Sequence, residues 1–157
     1  MNIIIRTATK ADIPQLIELY KELIHGDPPI DLEMATTVLE KAESNDVIYF
    51  VAEDTDSERI AATSYIAIIP NMTRQCSPIG FIENVFTAAD YRRMGIGRKL
   101  FDVIINYAKE RGCYKVTLSS GNTRKEAHDF YTSLGFDGES KRTFEMRFND
   151  VLTQPTS

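Results

Sequence analysis

Glu83-Asn84-Val85-Phe86-Thr87-Ala88-Ala89-Asp90-Tyr91-Arg92-Arg93-Met94-Gly95-Ile96-Gly97-Arg98 carries the deciding pattern of this chain. An apolar strand runs to Thr87, a short turn follows, and a helix opens on Gly95 and Gly97. Glycines let a ligand approach the backbone closely, and the free amides of a helix's first turn point at an anion. Arg92, Arg93 and Arg98 surround that start, so the run reads as a cradle for a pyrophosphate. Two familiar phosphate loops are excluded. A dinucleotide fingerprint wants a third glycine where Leu100 stands, and the Gly-Lys-Ser/Thr of a P-loop is absent. Taken alone, these residues leave open a plain helix start ringed by surface arginines.

Outward from this run, the periodicities give an element order. Asn2 to Arg6 reads as a first strand, and Thr9 with Asp12 as a capping pattern. A helix follows in which Ile13, Leu16, Ile17, Tyr20, Leu23 and Ile24 recur at helical spacing, ended by His25 to Pro29. The pattern predicts a second helix over Asp31 to Ala42, with Met34, Val38 and Leu39 on one side. Strands are expected over Val47 to Glu53, Ile60 to Ile69 and Ile79 to Thr87, the last two joined by a polar loop from Pro70 to Pro78. Gly95 to Arg111 is the longest helical stretch, with Ile96, Leu100, Val103, Ile104, Tyr107 and Ala108 on one face. Tyr114 to Ser119 then reads as a buried strand, Glu126 to Leu134 as a helix stopped by Gly135, and Arg142 to Phe148 as a last strand. The order argues for a mixed sheet with helices on both faces, its βαβ unit spanning Ile79 to Ser119.

Length and composition bound the function. The 157 residues fit one domain, here 1–148, with 149–157 expected to fray. A net charge of −5 lacks the basic footprint of a nucleic-acid binder, and no apolar run is long enough to span a membrane. Cys76 and Cys113 make neither a disulfide framework nor a metal cluster. With a start that lacks signal-peptide features, this predicts a cytoplasmic protein without a metal.

Arg92-Arg93-Met94-Gly95-Ile96-Gly97 resembles the Q/R-x-x-G-x-G/A signature of the GNAT superfamily of N-acetyltransferases. Ile82 to Thr87 is similar to that family's central strand. Asn122 with Ala127-His128-Asp129-Phe130-Tyr131-Thr132-Ser133-Leu134-Gly135-Phe136 resembles its second signature, and the likeness covers residues 2 to 148. The resemblance implies an α/β (α+β) GNAT acyltransferase fold. It also implies transfer of acetyl from acetyl-CoA to a primary amine, most simply of a small molecule, by direct attack in a ternary complex. A protein N-terminal or lysine acetyltransferase and a non-catalytic acyl-CoA sensor are the alternatives.

Residue by residue, the resemblance implies that Arg92, Arg93, Met94, Gly95, Ile96, Gly97 and Arg98 hold the coenzyme pyrophosphate. The central strand would carry a bulge, the backbone of Val85, Phe86 and Thr87 would pair with the pantetheine arm, an amide near Val85 would meet the oxyanion, and Asn122 would contact the same arm. Asn122 reads equally well as a helix cap. Strand alternation places Phe81, Glu83, Val85 and Thr87 on one face. An acid inside so apolar a strand needs a reason, because an unpaired buried carboxylate is expensive. Either Glu83 takes the proton of an alkylammonium, whose pKa is about 10, or it pairs with an arginine of the last strand. Tyr131 falls at helical spacing with Ala127, Phe130 and Leu134, which suits packing; the resemblance adds protonation of the departing thiolate. The family's habit and the last strand also imply a homodimer.

Overall fold

The computed structural model describes residues 1–148. Strands β1 (Ile3–Thr7), β2 (Val47–Asp54), β3 (Arg59–Ile69), β4 (Ile79–Thr87) and β5 (Lys115–Leu118) lie side by side in that order as one sheet. The first four are mutually antiparallel, and β4 and β5 are parallel. A parallel pair needs a crossover, and α4 (Ile96–Glu110) provides it.

Helices cover both faces, as the element order predicts. Tyr49 of β2 closes a cavity against α1 (Ile13–Leu23) and α2 (Leu32–Ser44). The next residue, Phe50, turns the other way and meets Tyr107 of α4 edge-on, with ring centroids 5.5 Å apart. At the head of α1, the Asp12 carboxylate accepts the Thr9 amide at 2.7 Å and both arms of the Arg6 guanidinium at 2.7 and 2.8 Å. Asp31 caps α2 by accepting the Met34 amide at 2.8 Å. Of the apolar residues expected along one side of α2, Leu39 is buried, whereas Met34 and Val38 stand in solvent.

The core stripe of α4 is Ile96, Leu100, Phe101, Ile104 and Ala108. Phe101, outside the expected stripe, is fully buried and collects the rings of Phe130, Tyr131 and Phe136 at centroid distances of 5.6, 5.7 and 6.0 Å. Phe130 and Tyr131 fasten α5 (Lys125–Ser133) to α4, and Phe136 does the same for the turn after it. The Pro70–Pro78 loop carries α3, a single turn at Thr73–Cys76 in which Arg74 and Gln75 have φ of +55° and +57°.

The strand expected over Arg142–Phe148 does not form. A strand exists only through its ladder, and among the described residues β5 is paired on one side alone. The segment is irregular, and Phe144, Met146 and Phe148 are exposed to 92%, 77% and 87%. The tail expected to fray, 149–157, lies outside the described residues.

Candidate active site

Pairing between β4 and β5 runs from Ile79–Lys115 to Ile82–Leu118 and stops there. β4 continues through Glu83 to Thr87, paired among the described residues with β3 alone, which leaves an opening in the ladder on the β5 side. The sequence itself holds β4 and β5 close below that point. A Cβ on Gly80 would sit 2.8 Å from Val116 Cγ1 and 2.9 Å from Ile66 Cδ1, so only glycine fits there without displacing them.

A bulge interrupts β4 within the opening. Two steps on β3, Thr63 to Tyr65, face three on β4, Glu83 to Phe86, and Asn84 takes up the excess with φ of +52°. The bulge resets the alternation. Glu83 lies opposite Tyr65, and Phe86 opposite Thr63, on the face covered by α1 and α2. Thr87 lies on the other face, toward the start of α4, where a Cβ on Gly97 would come 3.8 Å from Thr87 Oγ1. The expectation that Thr87 shares a face with Glu83 is therefore corrected, because strict alternation assumed no bulge.

At that start, Gly95 has φ of +76°, and no side chain caps the helix. The first bond to the turn runs from the Lys99 amide to the Gly95 carbonyl at 3.2 Å, which leaves the amides of Ile96, Gly97 and Arg98 outside the helical ladder. The three arginines behave differently. Arg92 Nε donates to the Thr87 carbonyl at 3.1 Å, and its guanidinium lies over the Phe86 ring. Arg98 donates to Ser133 Oγ at 2.8 Å and so ties α4 to α5. Arg93, with φ of +61°, reaches into solvent with Glu126 3.8 Å away. Met94 beside it is half exposed.

Glu83 makes no ion pair among the described residues, so the arginine partner considered for it is not there; its backbone carbonyl accepts Ser64 Oγ at 3.0 Å. The carboxylate is felt by two phenols. Burial pushes Tyr65 up, and Glu83 adds to that. Burial likewise raises Tyr131, with Arg124 opposing and Glu83 reinforcing the rise. Tyr131 is thus a buried phenol that holds its proton, near both a carboxylate and a guanidinium. Sequence reasoning missed Tyr65 and Arg124. The strand register could have found Tyr65, but no motif marks either.

Asn122 stands exposed in the turn before α5, and Arg124 rather than Asn122 occupies the cap position. His128 holds the turn by contacting the Gly121 carbonyl at 2.9 Å. Ser120 Oγ, just past β5, is buried without a hydrogen-bond partner, an unmet polar group near where the strands part.

Residues 13–136 match the model of the Acetyltransferase (GNAT) family. The chain is 30% identical over 134 residues to glucosamine 6-phosphate N-acetyltransferase 1 of Oryza sativa subsp. japonica, covering 84% of this chain and 79% of that one. It superposes on the crystal structure of glucosamine-6-phosphate N-acetyltransferase from Arabidopsis thaliana with a TM-score of 0.81 at 27% identity, over 93% of this chain and 99% of that one. AAC(6')-Iy in complex with the bisubstrate analogue CoA-S-monomethyl-acetylneamine shares the fold, with a TM-score of 0.78 at 19% identity over 96% of this chain and 100% of that one. With an open central strand beside an uncapped glycine-rich helix start, the chain is an acetyltransferase and belongs to the Acetyltransferase (GNAT) family.

Proposed function

We propose that this enzyme moves the acetyl group of acetyl-CoA to the primary amine of a small molecule, with Glu83 as base and Tyr131 as acid. The observation that carries the reading is the opening above Ile82–Leu118. There, among the described residues, a run of β4 backbone with no strand beyond it, a carboxylate without an ion pair and a protonated phenol stand beside helix amides that no side chain caps.

The free amides of Ile96, Gly97 and Arg98, with the Arg93 guanidinium, suit the coenzyme pyrophosphate. The backbone of Val85, Phe86 and Thr87 suits the amide-bearing pantetheine arm as an added strand would, with Asn122 at its far side. Acetyl-CoA supplies an acyl carbon on a thiolate leaving group. Glu83 accepts the proton that the ammonium must lose, the amine nitrogen bonds to that carbon as its bond to sulfur breaks, Tyr131 donates a proton to the sulfur, and the second proton leaving the nitrogen returns to the phenolate, which gives a neutral amide and a free thiol. Arg124 steadies the phenolate left behind. A backbone amide near Val85 meets the charge that grows on the carbonyl oxygen. Among the curated relatives, several are named for acetylating amino sugars, which supports a small-molecule amine.

The test is release of free thiol from acetyl-CoA across a panel of amines, amino sugars, aminoglycosides and peptides, with the product mass recorded. Amine-dependent release with a gain of one acetyl group supports the reading. Release with peptides alone favours a protein acetyltransferase, and binding without release favours a sensor. The reading extends to a cytoplasmic homodimer. The dimer is supported by the outer side of β5, which pairs with no strand among the described residues, and by the exposed Phe144, Met146 and Phe148 at alternate positions.

A further inference from the structure

Between α1 and α2 lies a cavity of about 360 Å³ that the pyrophosphate cradle and the strand opening do not use. Ile13, Leu16 and Ile17 form its α1 wall, Met34 and Val38 its α2 wall, and Tyr49 its floor. No lysine or arginine lines it. Its one carboxylate, Asp31, is committed to the Met34 amide. A phosphate would find no cation here, so this cavity is ill-suited to a phosphorylated sugar.

The floor leads somewhere. Tyr49 lies opposite Tyr65 with ring centroids 4.9 Å apart, and Tyr65 lies opposite Glu83. All three sit on the same face of the sheet, because directly opposed residues of antiparallel strands do. The row crosses two strand spacings, so the cavity floor and the Glu83 carboxylate are about 10 Å apart. Aromatic faces attract cations, and the carboxylate at the end of the row has no partner among the described residues. Of its lining, Met34 and Val38 are more than half exposed, which leaves apolar surface uncovered.

We propose that this groove binds the body of the acceptor, and that the acceptor is a primary amine on an apolar arm, alkyl or arylalkyl, long enough to reach Glu83 along the tyrosine row. The complementarity is one of sequence along the row: apolar walls, then aromatic faces, then a negative charge, matching an apolar arm that ends in an ammonium. This rests on the reading of Glu83 as the carboxylate that meets the amine.

The test is a homologous series of propylamine, hexylamine, octylamine and 4-phenylbutylamine beside glucosamine 6-phosphate, with the wild-type enzyme and Val38→Glu. Two readouts are taken: kcat/KM with acetyl-CoA, and calorimetric binding of each amine without it. Each added methylene that enters the groove is expected to raise affinity and kcat/KM about three- to fourfold. Val38→Glu should flatten that slope. A slope in binding with no turnover for any amine keeps the groove and removes the catalytic reading. A flat series in both readouts, or glucosamine 6-phosphate preferred over every alkylamine, overturns the proposal. So does a wild-type dimer that Val38→Glu dissociates while the series stays flat, since the rim would then be an interface between copies.

Discussion

Replacing Glu83 by glutamine keeps the shape of the side chain and removes its ability to take a proton. Turnover of Glu83→Gln should therefore fall most at low pH, where the acceptor is an ammonium, and recover as pH passes the acceptor's own pKa and solvent supplies free amine. A pH profile of kcat/KM checks this; a loss that is constant with pH would contradict it. Tyr131 is tested by the leaving group. Tyr131→Phe should lower kcat roughly 10²- to 10⁴-fold at every pH below the phenol's titration, which burial has moved upward. Acyl donors with a more acidic thiol should partly rescue it and should not rescue Glu83→Gln. The arginines separate in the same way. Arg93→Glu would remove the charge-assisted contact proposed with the pyrophosphate, of about 1.5 to 3 kcal/mol, so acetyl-CoA affinity should drop by roughly 10- to 150-fold in a calorimetric titration. Arg98→Ala breaks the tie to Ser133 and should lower the melting temperature more than coenzyme affinity.

Elements set how far apart these residues stand, and two contacts govern that. Gly80 allows β4 and β5 to lie close before they part. Gly80→Val would push against Val116, whose branched side chain has little freedom, and should cost about 1 to 3 kcal/mol in chemical denaturation. At the head of α1, burial alone would raise the Asp12 carboxyl, but Arg6 and the Thr9 amide outweigh it and hold it below the usual carboxylate range. Its stabilising effect is thus fully present above the unfolded carboxyl pKa, about 3.9, and is lost as pH falls through the lower folded value. Acid unfolding of Asp12→Asn should show a shallower loss over that window than wild type, from a start about 2 to 4 kcal/mol less stable. The elements themselves were largely legible from sequence, because α4 and the strands carry clear periods. A bulge in β4 was implied by the resemblance, but its place at Asn84 was not, since no glycine or proline marks it, and it reversed the face that strict alternation assigned to Thr87. The strand at Arg142–Phe148 misled for another reason. Thr143 to Phe148 alternates polar and apolar residues as a half-buried strand would, but alternation fixes a pattern and not the existence of a neighbour to pair with. Within the site, the glycine-rich helix start was visible as a motif. The Tyr49–Tyr65–Glu83 row was hidden, because it exists only through the pairing of three separate strands.

On the proposed reading, the whole molecule brings one donor site and one acceptor face to the two sides of a single strand. The proposed coenzyme cradle opens where β4 leaves β5, and the apolar groove lies across the sheet face that carries Glu83. If two copies associate through the segment that ends in Phe148, light scattering should give about twice the 17.8 kDa of the chain, and Phe144→Asp should return it to one. The most direct measurement of the central claim is amine-dependent thiol release from acetyl-CoA by the wild type, Glu83→Gln and Tyr131→Phe, each first shown by calorimetry to bind acetyl-CoA. The account predicts equal coenzyme affinity in all three, rapid release only in the wild type, and an acetylated amine as its product. Equal rates of release in all three, or release that does not depend on the amine, would contradict it.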